Sequence, residues 1–129
     1  MELMEEGLRV RRAVLGDAHV DRSLANATAL DRDFQEFITE YAWGRVWARP
    51  GLSRHTRSLL VIAMLAALGR PEELALHIRA AKNNGVSAAE VAETLMQVAV
   101  YAGVPAANAA FRILKAERGD EAPSEAATP

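Results

Sequence analysis

The 129-residue chain contains no cysteine, which excludes disulfides, thiolate metal ligands and a cysteine nucleophile. It begins Met-Glu-Leu-Met-Glu-Glu, which lacks the basic start and the apolar core of a signal peptide. Its longest apolar run, residues 58–69, has about a dozen residues and is too short to span a bilayer. The net charge of -2 gives no reason to expect nucleic acid. We therefore expect a cytoplasmic protein with no membrane and no nucleic acid partner.

Acidic residues are also absent from one segment, Tyr41 to Pro71, although the chain as a whole is slightly acidic. The same segment carries two tryptophans, one histidine and five arginines: Trp43, Trp47, His55, Arg45, Arg49, Arg54, Arg57 and Arg70. Guanidinium groups bind carboxylates in a planar fork, and tryptophans can exclude water around such a pair. The segment therefore predicts a site for a small multi-anionic ligand. The alternative is that the arginines decorate solvent-facing turns and pair with acids elsewhere in the fold.

Helical signals cover almost all of the chain, and no stretch alternates convincingly with a period of two residues. Caps, glycines and prolines predict a helix near residues 1–16, a helical region over 22–47 broken near 28–31, helices that begin after Ser53 and at Pro71, a helix from Ser87 to about Tyr101, and a last one over about 106–118. The short turns near residues 83–85 and 103–105 indicate antiparallel helix pairs. We expect an all-α single domain over residues 1–118, followed by a disordered tail over residues 119–129.

Two of these helices, over residues 58–68 and 91–100, are apolar almost all the way round. A helix with no polar face must be covered on every side, and a chain of this length cannot easily do so alone. Self-association is therefore the physical expectation.

A histidine interrupts one apolar helical stripe. Leu74, Ile78 and Ala81 recur at helical spacing, and the one polar residue on the same stripe is His77. Glu73 lies one turn earlier, so its carboxylate could orient the imidazole and favour the protonated form that a general acid needs. The alternative is a core histidine satisfied by a backbone carbonyl. Only three histidines occur and none forms an HxxxH pair, so no metal site is expected.

Three motifs, in this order, resemble those of the carboxymuconolactone decarboxylase family. They are WARPGL at 47–52, LHIRAAKNNG at 76–85 and QVAVYAGVPAAN at 97–108. None is specific alone, but together they stand at close to the spacing of the family. The resemblance extends over roughly residues 7–115.

The resemblance implies an all-α, AhpD-like helical bundle that forms a homo-oligomer, with a hexamer expected. It implies a cofactor-free decarboxylation of 4-carboxymuconolactone, a small anionic lactone, to 3-oxoadipate enol-lactone in protocatechuate breakdown. Peroxidase-type members of the superfamily carry CxxC just before the histidine that matches His77. Here Arg70-Pro71-Glu72-Glu73 stands in that place, which excludes thiol-dependent peroxidase chemistry.

Together with this chemistry, the residues suggest a hypothesis for the site. His77 is the general acid or the oxyanion donor, and Glu73 orients it. The candidates for the anion clamp and for the walls of the pocket are Arg49, Arg57, Arg79, Trp47 and Tyr101. Arg79 lies about 200° round its helix from His77, so it would reach the same ligand only from a neighbouring subunit or round the helix edge.

Two rival functions remain open at this point. One is a non-catalytic oligomerisation or regulatory module, which predicts paired arginines and a fully buried His77. The other is a decarboxylase of a related lactone, which sequence cannot separate because one methylene in a pocket is worth only about 1–3 kcal/mol.

Overall fold

A computed structural model describes residues 2–122, and all regular secondary structure in that range is helical. The elements are α1 (Glu2–Leu15), α2 (Asp17–Asn26), α3 (Arg32–Ile38), a π-helix (Thr39–Trp47), α4 (Arg54–Leu68), α5 (Pro71–Ala80), a 3₁₀-helix (Ala81–Asn84), α6 (Ala88–Ala102), α7 (Val104–Arg118) and a second 3₁₀-helix (Gly119–Glu121). The all-α prediction is therefore confirmed. None of the helices within residues 2–122 is both long and apolar enough to cross a membrane.

The chain forms two compact units, Met1–Arg57 and Ser58–Pro129, called here the N-terminal and C-terminal units. The expectation of one domain over residues 1–118 stays a prediction. The predicted tail lies outside the described residues from 123 onward. Of its first residues, Gly119–Glu121 form a helical turn that is tied to the C-terminal unit.

The N-terminal unit depends on a close approach of two backbones. Gly7 in α1 lies so near the start of the π-helix that a Cβ on it would stand 2.1 Å from the carbonyl oxygen of Thr39. A Cβ on Gly44 would stand 2.8 Å from the carbonyl oxygen of Leu3. Only glycine leaves room for such backbone contact. The valines of α1 and the indole of Trp43 are then buried beside this crossing.

The C-terminal unit packs around one apolar core, and a buried arginine at the end of α7 bonds to the backbone beside it. Arg118 at the end of α7 is 3% exposed, and its Nη2 donates to the carbonyl oxygen of Val86 at 2.8 Å. The Nε and Nη2 atoms also donate to the two carboxylate oxygens of Glu121, at 2.8 and 2.7 Å. Lys82 approaches one of these oxygens at 3.1 Å. The hydrogen bonds from Arg118, reinforced by Lys82, lower the pKa of Glu121 to about 2.

Local sequence signals placed most of the helix ends correctly. Ser87 and Glu90 form the expected capping box on α6, and Thr56 N–H donates to the Ser53 hydroxyl at the start of α4. Gly69 has a φ of 71° where α4 ends. The second helical region begins at Asp17 rather than Arg22, and α7 begins two residues earlier than expected because Pro105 fits its first turn. The π-helix was not predicted.

We expect Gly7→Ala to destabilise the N-terminal unit by about 1–3 kcal/mol or more, because a methyl group cannot share space with the Thr39 carbonyl. Both tryptophans lie in this unit, so their fluorescence during urea unfolding reports on it directly. Gly51→Ala is the control, since a Cβ there meets nothing within 4 Å. A Gly7→Ala protein as stable as the wild type would contradict the described helix crossing.

A second prediction concerns Glu121. Because its folded pKa of about 2 lies below the ordinary 4.5, its carboxylate stabilises the fold fully above pH 4.5 and progressively less as the pH falls towards 2. The difference in unfolding free energy between wild type and Glu121→Gln should shrink over that interval. Urea unfolding followed by circular dichroism at a series of pH values measures it. Asp120→Asn controls for losing one surface acid, and a Glu121→Gln difference that does not change with pH would refute the pairing with Arg118.

Candidate functional site

Three of the predicted site residues follow one another along the N-terminal unit. The π-helix ends at Trp47, whose ring stacks on Trp43 with centroids 5.0 Å apart and planes 29° from parallel. Beyond it, the backbone carbonyl of Arg49 accepts a hydrogen bond from Nη2 of Arg57 at 3.2 Å. Trp47, Arg49 and Arg57 are thus grouped by the end of the π-helix and the turn that follows it.

The guanidinium of Arg57 is only partly satisfied. Its one hydrogen-bond acceptor within residues 2–122 is a neutral carbonyl, and its Nε atom is buried without any acceptor in that range. A buried donor that lacks an acceptor is costly, and a carboxylate is the strongest partner a guanidinium can take. Arg57 is half-buried, and its guanidinium has unmet hydrogen-bonding capacity within residues 2–122, which is compatible with the predicted anion-binding role.

In the C-terminal unit, α5 carries the other predicted pair. Leu74, Ile78 and Ala81 are buried, as the stripe required, and His77 lies half-buried on the margin of that stripe. Glu73 is exposed one turn before it. A fully buried histidine, which the non-catalytic rival predicts, is not what the structure shows. His77 is therefore partly accessible.

Arg79 and Tyr101 are placed differently. Nη1 of Arg79 lies 2.6 Å from Oε1 of Glu117, so α5 and α7 are joined by an ion pair. For this one arginine, the ion pair is what the non-catalytic rival predicts. Tyr101, near the end of α6, is 83% exposed.

The C-terminal unit also contains a cavity of about 310 Å³ between the end of α4, the start of α5 and α7. Its lining is mostly leucine, isoleucine and alanine, and Arg70 is the one charged residue among those that line it. Arg70 belongs to the acid-free segment, but none of the residues in the site hypothesis built around His77 lines this cavity. Within residues 2–122 no group of three or more His, Asp or Glu side chains could hold a metal ion.

Arg11 is a residue that sequence reasoning missed. It is 4% exposed, on the stripe of α1 that contains Gly7, Val10 and Val14. This is the same pattern that singled out His77, one polar residue on an apolar stripe, so the signal was present in the sequence.

Comparison with known proteins gives consistent results. The sequence profile of the carboxymuconolactone decarboxylase family matches residues 32–116. The chain is 54% identical over 109 residues to 4-carboxymuconolactone decarboxylase of Acinetobacter baylyi, covering 84% of this chain and 81% of the relative. It is 48% identical over 103 residues to nitrosuccinic acid decarboxylase of Metarhizium robertsii, covering 80% and 72%. A 4-carboxymuconolactone decarboxylase of Pseudomonas putida is 55% identical over 40 residues, covering 31% of this chain and 83% of the relative.

The contrast between Arg57 and Arg79 is testable with succinate as a simple dicarboxylate probe. We expect Arg57→Gln to weaken succinate binding by about 10- to 100-fold, since a hydrogen-bonded charge pair is lost. Arg79→Gln, the matched control, should leave binding within about twofold because its guanidinium already holds a carboxylate. Isothermal titration calorimetry measures both. Equal effects of the two substitutions, or no binding by the wild type, would contradict the assignment.

Proposed function

This chain belongs to the carboxymuconolactone decarboxylase family, and we propose that it converts 4-carboxymuconolactone to 3-oxoadipate enol-lactone and CO2. The observation that carries the proposal is 54% identity, over most of both chains, to an enzyme named for that reaction. The proposed setting is protocatechuate breakdown in the cytoplasm.

The proposed reaction requires the protein to supply positive charge for the carboxylate that remains and one proton for the ring. The bond between the ring carbon and its carboxylate breaks, and CO2 leaves. The electron pair passes through the ring double bond to the lactone carbonyl, and a proton is then delivered to the ring carbon beside that carbonyl. Nothing is oxidised or reduced. Cations that bind the remaining carboxylate, a donor at the developing oxyanion and a general acid are sufficient.

We propose His77 as the general acid or the oxyanion donor. The support is its position, half-buried at the margin of an apolar stripe, where a hydrogen bond to a developing charge is stronger than in water. Glu73 precedes it by one turn and is proposed to favour its protonated form. Arg49 and Arg57 are proposed to bind the side-chain carboxylate of the substrate, with Trp47 as an apolar wall. Arg79 we assign to its ion pair with Glu117.

We also propose that the enzyme is a homo-oligomer, with a hexamer expected from the family resemblance. Large apolar side chains are exposed in two groups on the C-terminal unit. Leu60, Met64 and Leu68 recur every four residues on α4, and a second group lies around the end of α6: Met96, Val100, Tyr101 and Val104. Apolar patches of this extent are typical of surfaces that other subunits cover. In such an assembly Tyr101 would become a wall of a site rather than a solvent-exposed ring.

The second relative favours a second candidate substrate, nitrosuccinic acid. Both compounds are succinates in which one carbon carries a carboxylate, an electron sink and a CH2–COO⁻ arm. The sink is the unsaturated lactone in one and the nitro group in the other. An enzyme that binds the arm through guanidinium groups and supplies a proton would serve both. The lactone remains the favoured substrate because its named relative is the more similar in sequence.

The direct experiment is a coupled assay of the purified chain with freshly prepared 4-carboxymuconolactone in the presence of a chelator. The proposal expects one CO2 released for each lactone consumed. Nitrosuccinate and 2-nitrobutanoate, which lacks the second carboxylate, are assayed in parallel. Turnover of nitrosuccinate alone would replace the favoured substrate by the second candidate, and turnover of none by a folded protein would overturn the proposed function.

We expect His77→Asn to lower kcat by about 10² to 10⁴ while the protein stays folded and keeps its oligomeric state, because only the proton donor is lost. His19→Asn, in α2 of the other unit, is the control. Size-exclusion chromatography establishes the state of each variant before steady-state assays. Full activity in His77→Asn would remove His77 from the mechanism.

A further inference from the structure

The N-terminal unit contains a buried guanidinium, that of Arg11, which no carboxylate within residues 2–122 neutralises. In Arg11, Nη1 donates to the hydroxyl of Thr39 and Nη2 donates to the side-chain oxygen of Gln35, both at 3.1 Å. Its Nε atom is buried and has no acceptor within residues 2–122. Burial lowers the pKa of Arg11, as expected where the charged form is poorly solvated.

A contribution to the stability of the fold does not explain why an arginine is buried at position 11. A buried charge that faces only neutral groups is unfavourable, and apolar side chains that replace buried ionic groups are often neutral or stabilising. The neighbouring Arg12, by contrast, is neutralised at the surface. Its Nη1 and Nη2 atoms lie 3.1 and 2.8 Å from carboxylate oxygens of Asp17 and Asp21. The role of Arg11 is therefore sought in the groups that it binds, Thr39 and Gln35.

What Arg11 holds is the junction where the α-helix becomes a π-helix. Thr39, fully buried, is the first residue of the π-helix. Its hydroxyl donates to the carbonyl oxygen of Gln35 at 2.7 Å, which leaves its lone pairs to accept from Arg11. Arg11 also donates to the side chain of Gln35, so it bonds to the first and the last residue of the helical turn from Gln35 to Thr39. Short π-helical segments occur frequently at functional sites.

The π-helix leads directly to the proposed carboxylate-binding residues. At its end the N–H of Ala48 donates to the carbonyl oxygen of Trp43, five residues back, at 3.1 Å. The next residue, Arg49, presents the carbonyl oxygen on which Arg57 rests. A change in helical register at Thr39 would therefore rotate the Arg49 carbonyl and move the guanidinium of Arg57.

We propose that Arg11 is a positioning residue, which fixes the register of the π-helix and so places Arg49 and Arg57 for the substrate carboxylate. The inference rests on the proposed function, because it assigns Arg11 to the binding step of that reaction. It does not make Arg11 a contact of the substrate.

The test uses Arg11→Met, which keeps an unbranched apolar stem but removes the charge and the donors, and Arg11→Lys, which keeps the charge and one donor nitrogen. For Arg11→Met we expect KM for the lactone to rise by about 10-fold or more, with kcat within about threefold and no fall in the urea midpoint. Arg11→Lys should recover part of the loss. Arg12→Met, on the same helix but in a surface ion pair, should leave KM unchanged.

The succinate titration of the same variants separates failure of this inference from failure of the proposed function. If the wild type does not turn over the lactone, weaker succinate binding by Arg11→Met than by Arg12→Met still supports the positioning role. Unchanged KM and unchanged succinate affinity in Arg11→Met would overturn it. A loss of stability with wild-type binding in the folded fraction would also overturn it. Should Arg11→Met not fold, Thr39→Val replaces it, because it removes the hydroxyl that accepts from Arg11, and a wild-type KM and succinate affinity in that variant would overturn the inference.

Discussion

Two guanidinium groups of the N-terminal unit, those of Arg11 and Arg57, have no carboxylate partner within residues 2–122, and the proposed ligand binding depends on this constraint. From Tyr41 to Pro71 the chain offers its arginines no acid, and Arg57 accordingly rests on a backbone carbonyl with a buried Nε that has no acceptor in residues 2–122. Arg11 lies in the same unit and also meets only neutral oxygens. By contrast, all three side-chain nitrogens of Arg118 in the C-terminal unit donate hydrogen bonds, to Glu121 and to two backbone carbonyls. Arg118 is thus neutralised within the fold, whereas Arg57 and Arg11 have no carboxylate partner among the described residues.

Arginines that lack a carboxylate partner within residues 2–122 are suited to the proposed decarboxylation, in which the substrate contains its own electron sink. Such an enzyme needs to bind the carboxylate that stays, shield the one that leaves and return a proton. In the proposed mechanism, Arg57 and its neighbours would meet the first need, and the half-buried His77 would meet the last. Relatives named for two different acids are consistent with the proposal that the binding groups recognise carboxylates rather than a lactone ring.

Much of the fold followed from local signals that each involve a few neighbouring residues. The capping box at Ser87, the positive φ at Gly69 and the stripe around His77 depend only on spacing and side-chain type, and all three were predictable. The roles of the site residues remain predictions. The unmet hydrogen-bonding capacity of Arg57 within residues 2–122 supports its proposed role in binding a carboxylate.

The features that sequence reasoning missed depend on contacts between distant parts of the chain. The π-helix has no compositional signature of its own, and here it coincides with a contact between Gly7 and Thr39, 32 positions apart in the numbering. Arg79 and Glu117 are 38 residues apart in the sequence, so their ion pair could not be predicted from the spacing of neighbouring residues. Arg11 is the exception, since an arginine on an apolar stripe could have been found by the rule that found His77.

The central claim is that a carboxylate of the ligand completes the guanidinium of Arg57. The most direct measurement is the ¹⁵N–¹H spectrum of the arginine side chains, with the Nε–H signal of Arg57 assigned from Arg57→Lys, recorded before and after addition of succinate. The account predicts that this signal shifts and that its hydrogen exchanges more slowly in the complex, as a buried donor gains its acceptor. An Arg57 signal that does not change while the protein binds succinate would contradict it.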